Sequence, residues 1–140
     1  MVHALVEIRR VLAPDGILLD LRPIAANWPI EVVSRRERKP AGRVTDSEED
    51  LENDEAANQS LATAAEQGWY GREKEQSFPY SYYWDSPDQM LEFVEDEWAD
   101  FASLDEDVLR RLRSLWAVAD ADARVRIHVS MLITRWRRLA

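Results

Sequence analysis

The sequence is distinguished first by what it has little of. It has no cysteine, which excludes disulfides, thiolate metal ligands and cysteine nucleophiles. Its four glycines are too few and too scattered for a loop that cradles phosphate. Its apolar runs are far shorter than the roughly 20 residues of a membrane-spanning helix, and its first residues do not resemble a secretory signal. We therefore expect a cytoplasmic protein without membrane contact.

Positive charge and histidine are also scarce. The 140 residues carry 27 acidic and 18 basic side chains, a formal net charge of −9. Such a chain has no uniform attraction for nucleic acid or anionic lipid, so we expect neither as a partner. With only His3 and His128 as imidazoles, we expect no metal site and no histidine-dependent chemistry.

What the chain does have is apolar periodicity, which predicts an α+β fold with a small mixed or antiparallel sheet. The content of 46% hydrophobic residues is enough for a core of its own, and we take residues 1–140 as a single domain. Helices are predicted near residues 2–12, 48–67, 87–101 and 104–119. Strands are predicted near residues 17–21, 29–34, 41–45, 76–84 and 124–134, with a β-arm at 28–46.

Several helix ends carry their own local signals. Ser47 and Ser86 are predicted N-caps, and Pro87 follows Ser86 at the first helical position. Gly68 is a typical residue just beyond a helix C-terminus. A capping box at residues 103–106 predicts the start of the last helix.

The strand patterns predict different degrees of burial. Residues 17–21 are nearly all apolar, which is typical of a strand buried on both faces. Pro79 predicts that residues 76–84 form an edge strand, or at least a bulged one. Residues 124–134 alternate polar and apolar side chains, which indicates a strand with one buried face. The arginine-rich residues 135–138 are expected to leave the sheet.

Residues 4–19, ALVEIRRVLAPDGILL, resemble the segment around the fifth strand of class I S-adenosylmethionine-dependent methyltransferases. In that family, a helix with a glutamate-hydrophobic-x-arginine-valine-leucine-x-proline-glycine-glycine run precedes the strand. Asp15 stands here at the first glycine of the pair. The later order of elements is similar, with residues 76–84 and 124–134 as the sixth and seventh strands around a helical insertion.

The family's cofactor site is built mainly in its first half, around a glycine-rich loop, and this sequence has no such cluster. The resemblance therefore implies the C-terminal half of a methyltransferase without its cofactor-binding half. It implies no cofactor-binding residue and no cofactor for the isolated chain. S-adenosylmethionine would bind only if a partner supplied the missing half, and the isolated chain would be inactive.

The resemblance also implies that residues after the fifth strand and before the seventh line a methyl-acceptor pocket. The candidates are Asp20, Arg22, Trp28, Tyr82 and Trp84. From spacing alone, Asp20 and Arg22 share a strand face, where they either hold a polar substrate group or form a structural ion pair. The aromatic residues 80–84 either stack on a planar ligand or pack a helix on the sheet. No residue is assigned as catalytic.

Two further expectations stay open at the level of sequence. The alternative function is a non-enzymatic ligand-binding or assembly module. In the family fold a fourth strand covers the fifth, so strand 17–21 alone leaves an edge that the β-arm or a second copy would cover. We expect a homodimer, or otherwise a cofactor-binding partner.

Overall fold

A computed structural model describes residues 2–24 and 28–140. Within these residues the chain forms four helices, α1 (Val2–Val11), α2 (Glu48–Glu66), α3 (Pro87–Glu97) and α4 (Glu106–Ala117). It also forms seven strands, β1 (Ile17–Pro23), β2 (Pro29–Val33), β3 (Arg38–Arg43), β4 (Thr45–Asp46), β5 (Tyr70–Trp84), β6 (Ala102–Ser103) and β7 (Arg124–Arg138). The predicted α+β class is confirmed. No helix in the described part of the chain has the length and apolar character needed to cross a membrane.

The strand pairings are organised around β7. The C-terminal part of β7 pairs antiparallel with β1, so that Thr134 lies opposite Asp20 and Trp136 opposite Leu18. Its N-terminal part pairs antiparallel with β2, and β2 pairs antiparallel with β3. Strand β5 also pairs with β7. Strands β4 and β6 form a separate two-stranded sheet.

The described residues divide into two compact units. Unit 1 contains residues 2–24, 51–78 and 131–140. Its core is formed by side chains from α1, α2, β5 and β7, namely Leu5, Leu61, Ala64, Tyr70 and Trp136. The Tyr70 hydroxyl donates a hydrogen bond of 2.9 Å to the Leu5 carbonyl. This bond ties the first residue of β5 to α1.

Unit 2 contains residues 28–50 and 79–130. The apolar sides of its strands and helices form the core, with Ile30, Met90, Leu112, Val125 and Ile127 fully buried. On β7, the alternating side chains leave Arg124, Arg126 and His128 on the opposite, polar face. The same period that predicted the strand therefore also predicts which of its faces is polar.

Most of the predicted helix ends are confirmed. The Ser47 and Ser86 hydroxyls accept hydrogen bonds from the first turns of α2 and α3, and Gly68 has a φ of 68° just after α2. The predicted capping box before α4 is wrong. Residues Ala102–Ser103 pair with β4, so the helix begins after Asp105.

Two predictions about the sheet are also wrong. Strand β1 is not buried on both faces, since Leu19 and Leu21 are 58% and 56% exposed. Residues 135–138 do not leave the sheet, because Trp136 is buried in the core of unit 1 and Arg137 lies opposite Ile17. The apolar run of β1 therefore includes an open face, and β7 stays paired with β1 as far as Arg137.

Other boundaries shift by several residues. Strand β5, which pairs with β7, starts at Tyr70 rather than residue 76, so the mostly polar residues 71–75 also belong to the strand. Helix α3 ends at Glu97, and Trp98 caps it. The β-arm is a hairpin of β2 and β3, but it pairs with β7 and not with β1. In the described residues β5 has β7 as its only partner, which confirms that it is an edge strand.

Candidate functional site: a polar cleft in unit 1

Unit 1 contains a cleft of about 680 Å³ between α2 and one face of its strands. The two-residue period of β1 places Asp20 and Arg22 on this face, and that of β7 places Thr134 and Trp136 there. Residues of α2 form the facing wall. The lining residues are Asp20, Arg22, Asn58, Leu61, Ala62, Ala65, Glu66, Arg72, Glu75, Thr134 and Trp136.

Asp20 and Arg22, both predicted as site residues, lie together in this cleft. The Arg22 Nε and Asp20 Oδ2 atoms are 3.3 Å apart. The guanidinium also donates to Asn58 Oδ1 at 2.5 Å and to the Asp54 carbonyl at 3.5 Å, both on α2. The ion pair is thus a structural contact, and it also forms part of the cleft wall.

Three polar atoms at the cleft are buried without a hydrogen-bond partner among the described residues: Asp20 Oδ2, Arg22 Nε and Trp136 Nε1. The first two face each other as charges, but not with the geometry of a hydrogen bond. The Trp136 indole N–H has no hydrogen-bond acceptor among the described residues, although the residue is only 7% exposed. A buried donor without an acceptor costs about 1–3 kcal/mol, so such a group indicates a missing partner.

The remaining charges are arranged unevenly. Arg72 pairs with Glu75 at 3.4 Å, and the Thr134 hydroxyl donates to the same Glu75 carboxylate at 3.2 Å. The side chain of Glu66, the last residue of α2, forms no ion pair or hydrogen bond with the residues that the structure describes. The cleft therefore offers one free carboxylate at a helix C-terminus.

The other three predicted site residues, Trp28, Tyr82 and Trp84, lie in unit 2 around Trp98. The ring centroids of Trp28 and Tyr82 are each 5.3 Å from that of Trp98, and the Trp84 centroid is 6.3 Å away. Phe93 of α3 contacts both Tyr82 and Trp84. These contacts match the packing of a helix on the sheet, the second of the two alternatives for this aromatic segment.

The sequence analysis did not identify a polar network on the polar face of β7 in unit 2. Buried Glu31 accepts two hydrogen bonds from Arg126, at 2.5 and 3.0 Å, and lies 3.4 Å from His128 Nε2. His128 Nδ1 is 2.8 Å from the Ser81 hydroxyl. Although burial lowers the pKa of Arg126, hydrogen bonds to Glu31 and Tyr83 outweigh it and raise the pKa above its usual value.

The order serine–histidine–carboxylate in this network is not in itself a catalytic arrangement. The Glu31 oxygen that faces His128 is the one that accepts both Arg126 hydrogen bonds. The carboxylate is therefore held by arginine rather than reserved for the imidazole, and the contacts tie β2, β5 and β7 together. The polar face of β7 could be predicted from its alternation. Its partners on β2 and β5 depend on the register between the strands, which the sequence alone does not determine.

Thr134 and Trp136 of the cleft were also missed. The alternation of β7 does not reveal them, since Thr134 and Trp136 are even-numbered like the polar residues at 124, 126 and 128. The buried positions of the strand change from odd to even residues between Val129 and Thr134. Among the described residues, no group of three or more potential metal ligands comes together. No protein-family model matches the sequence, and no curated protein or solved structure is significantly similar to it.

Proposed function

We propose that this chain is a ligand-binding domain of methyltransferase-like type, without catalysis of its own, and that its site is the cleft of unit 1. The observation that carries the proposal is the Trp136 indole N–H, which is buried at the cleft without an acceptor. Arg22 is fixed beside the cleft by Asp20 and Asn58. Small-molecule sites combine apolar walls with a few fixed polar groups in this manner.

A thermal-shift screen against a library of water-soluble metabolites tests this proposal. A ligand that binds the folded chain raises its melting temperature by mass action. We expect at least one compound whose stabilisation is lost in Trp136→Phe, which removes the indole N–H and keeps an aromatic ring. Trp116→Phe, on α4 in unit 2, is the matched control and should keep the effect.

Two results would contradict the proposal. One is a complete library without a stabilising compound. The other is a set of stabilising compounds that act equally on Trp136→Phe and on the unmodified chain. Either result would leave the cleft as a surface depression without a binding role.

A second candidate is the catalytic one, a methyltransferase fragment that becomes active with a partner. It is supported by the resemblance of residues 4–19, which fall on α1 and β1, and by the order β5, α3, α4, β7 that follows. By this proposal the isolated chain does not bind S-adenosylmethionine, because the cofactor half belongs to the partner. Calorimetric titration should show no binding in the micromolar range, and micromolar binding would contradict the need for a partner.

We also propose assembly into a homodimer in the cytoplasm, with neither nucleic acid nor membrane as a partner. The dimer is supported by the open face of β1, where Leu19 and Leu21 are more than half exposed. The excess of acidic residues supports the exclusion of nucleic acid. The lack of cysteine suits a reducing compartment.

A further inference from the structure

We infer that an apolar groove between α3 and the start of α4 binds a basic amphipathic helix of a partner protein. Aliphatic side chains of the partner fill the groove, and its lysine or arginine side chains meet an acidic rim. The groove has a volume of about 250 Å³ and lies wholly in unit 2, so its role is independent of the ligand proposed for unit 1. Its apolar lining consists of Leu91, Val94, Ala99, Ala102, Leu104 and Leu109.

The size and exposure of the groove favour side chains of a larger molecule over a whole small molecule. Sites that enclose a small ligand usually have volumes of about 300–1,000 Å³. Leu91, Leu104 and Leu109 are each partly exposed, so the apolar lining is open to solvent. Apolar grooves of this kind bind the apolar face of an amphipathic helix, whose side chains recur every three or four residues.

Three carboxylates without an ion pair give the groove its acidic rim. Glu95 is itself a lining residue, and Glu106 lies beside Leu109 on the adjoining surface of α4. Asp105 stands between the lining residue Leu104 and Glu106 in the chain. The side chains of these three acids form no ion pair or hydrogen bond with the residues that the structure describes.

The cations nearest to the groove do not neutralise this rim. Arg110 pairs with Asp107 at 2.9 Å, and Arg113 pairs with Asp88 at 3.8 Å. Residues 85–109 contain ten acidic side chains and no lysine or arginine. The rim therefore keeps a net negative charge, and a partner of complementary, positive charge is the one that it attracts.

The C-terminal turn of α3 also lacks the cation that a helix end favours. It contains Glu95, Asp96 and Glu97 and no basic residue. Carbonyl groups at a helix C-terminus carry partial negative charge, so carboxylates there weaken the helix and a cation strengthens it. A lysine or arginine of the partner would meet both the carboxylates and the negative end of α3.

Fluorescence anisotropy with a labelled synthetic helix tests the inference on the full chain. The probe is a peptide of about 18 residues, long enough for a helix, with leucines at every third or fourth position and lysines elsewhere. We expect saturable binding that weakens as salt is added. A peptide with glutamate for lysine should not bind, and one with serine for leucine should bind at least about tenfold more weakly.

A bulky substitution in the groove tests where the peptide binds. Ala99→Phe places a large side chain at an exposed position of the lining and should weaken the leucine–lysine peptide at least about tenfold. Ala56→Phe makes the same change at an exposed position of α2 in unit 1 and should leave the affinity unchanged. Equal affinity in the two variants would overturn the site.

Two charge variants test the acidic rim. The double variant with Glu95→Gln and Glu106→Gln should weaken the peptide about fivefold at low salt. The double variant with Glu49→Gln and Glu52→Gln makes the same change of net charge on α2 and should have little effect. An equal loss in both double variants would show attraction to the net charge of the chain and would overturn the rim.

Three further results would contradict the inference. Equal binding of the serine peptide would mean that the groove contributes nothing, and equal binding of the glutamate peptide would mean the same of the rim. The third concerns a second copy of this chain as the occupant. Ala99→Phe should have the same mass in light scattering as the unmodified chain, and conversion of a dimer to a monomer by this substitution would replace the partner protein with a second copy.

Discussion

Tyr70 and Trp136 of unit 1 each bury a polar side-chain atom, but among the described residues only the Tyr70 atom has a hydrogen-bond partner. The Tyr70 hydroxyl donates to the Leu5 carbonyl, whereas the Trp136 indole donates to no described residue. The first group has the partner that burial demands and therefore belongs to the structure. The second lacks one at the wall of a cleft, and this contrast between two neighbours in one core is why we place the ligand at Trp136.

Tyr70 gives the molecule a specific response to alkaline pH. Burial raises the pKa of its phenol, and the charges of Arg9 and Arg138 lower it by less. A raised pKa means that the unfolded chain loses this proton first. The stabilisation is therefore complete below the ordinary pKa of 10.0 and falls as pH rises through the higher folded value.

Tyr70→Phe should accordingly destabilise the chain by about 1 kcal/mol at pH 8 through the lost hydrogen bond. The difference from the unmodified protein should shrink between pH 9.5 and pH 11. Urea denaturation at each pH measures it. Tyr80→Phe, at a side chain that is 53% exposed, is the control and should have little effect at any pH. A difference that grows with pH would contradict the account.

Glu31 is a buried polar residue of unit 2 that accepts hydrogen bonds from Arg126. Its side chain is 11% exposed and that of Arg126 is 16% exposed, so a neutral residue here leaves a largely buried guanidinium without its carboxylate. We expect Glu31→Gln to cost about 2–4 kcal/mol in urea denaturation. Asp85→Asn is the control, because it breaks an exposed ion pair with Arg124, which lies on β7 like Arg126. It should cost less than about 1 kcal/mol. Equal costs would show that the network has no special role.

At the scale of elements, the docking of α4 on the β2–β3 hairpin depends on a glycine. Gly42 on β3 has a φ of 153°, and a Cβ built there would lie 2.7 Å from a methyl carbon of Val108 on α4. No other residue type fits this close approach without movement of the helix. Glycine is suited to such a close approach because it has no Cβ, but the helix that Gly42 faces is seen only in the fold.

Gly42→Ala should therefore destabilise the chain by about 1–3 kcal/mol. Val108→Ala should relieve part of that cost in the double variant, which denaturation of all four combinations measures. At Gly68, whose φ is 68° and whose Cβ would meet nothing within 4 Å, alanine costs only backbone strain. Val108→Ala should not relieve that cost. A double variant of Gly42 and Val108 whose effects simply add would contradict the contact.

The order of the elements could be predicted because local chemistry determines it. Ser47, Ser86 and Gly68 define helix ends through their own side chains or backbone, and the alternation at 124–134 identifies β7. The ends that were misplaced depend on distant partners. The pairing of β6 with β4 shortens the predicted helix at 104–119, and burial of Trp136 keeps β7 in the sheet.

The candidate site, like the fold, could be predicted only where a local pattern determines it. The two-residue spacing correctly places Asp20 and Arg22 on one face of β1, and the structure adds the cleft that they line. Glu66 and Trp136 are far from them in sequence and line the same cleft only through α2 and the register of β7. No local pattern links residues across such distances.

At the scale of the whole molecule, the proposed homodimer rests on the open face of β1. A row of exposed leucines on a strand is a surface that natural proteins usually cover. Light scattering at high micromolar concentration should give twice the mass of the 16.3 kDa chain. A variant with Leu19→Lys and Leu21→Lys should be monomeric, while Val118→Lys, at a side chain that is 73% exposed, should remain dimeric. A monomeric unmodified chain would contradict the proposal.

The central claim is that the buried indole of Trp136 is a ligand-binding donor. The most direct measurement is the ¹H–¹⁵N spectrum of the six tryptophan side chains during titration with a compound that stabilises the chain in the thermal-shift screen, with the Trp136 peak assigned by its absence in Trp136→Phe. The account predicts a saturable shift of the Trp136 Nε1–H peak, larger than that of any other indole. A Trp136 peak that stays in place while that compound reaches saturating concentration would contradict it.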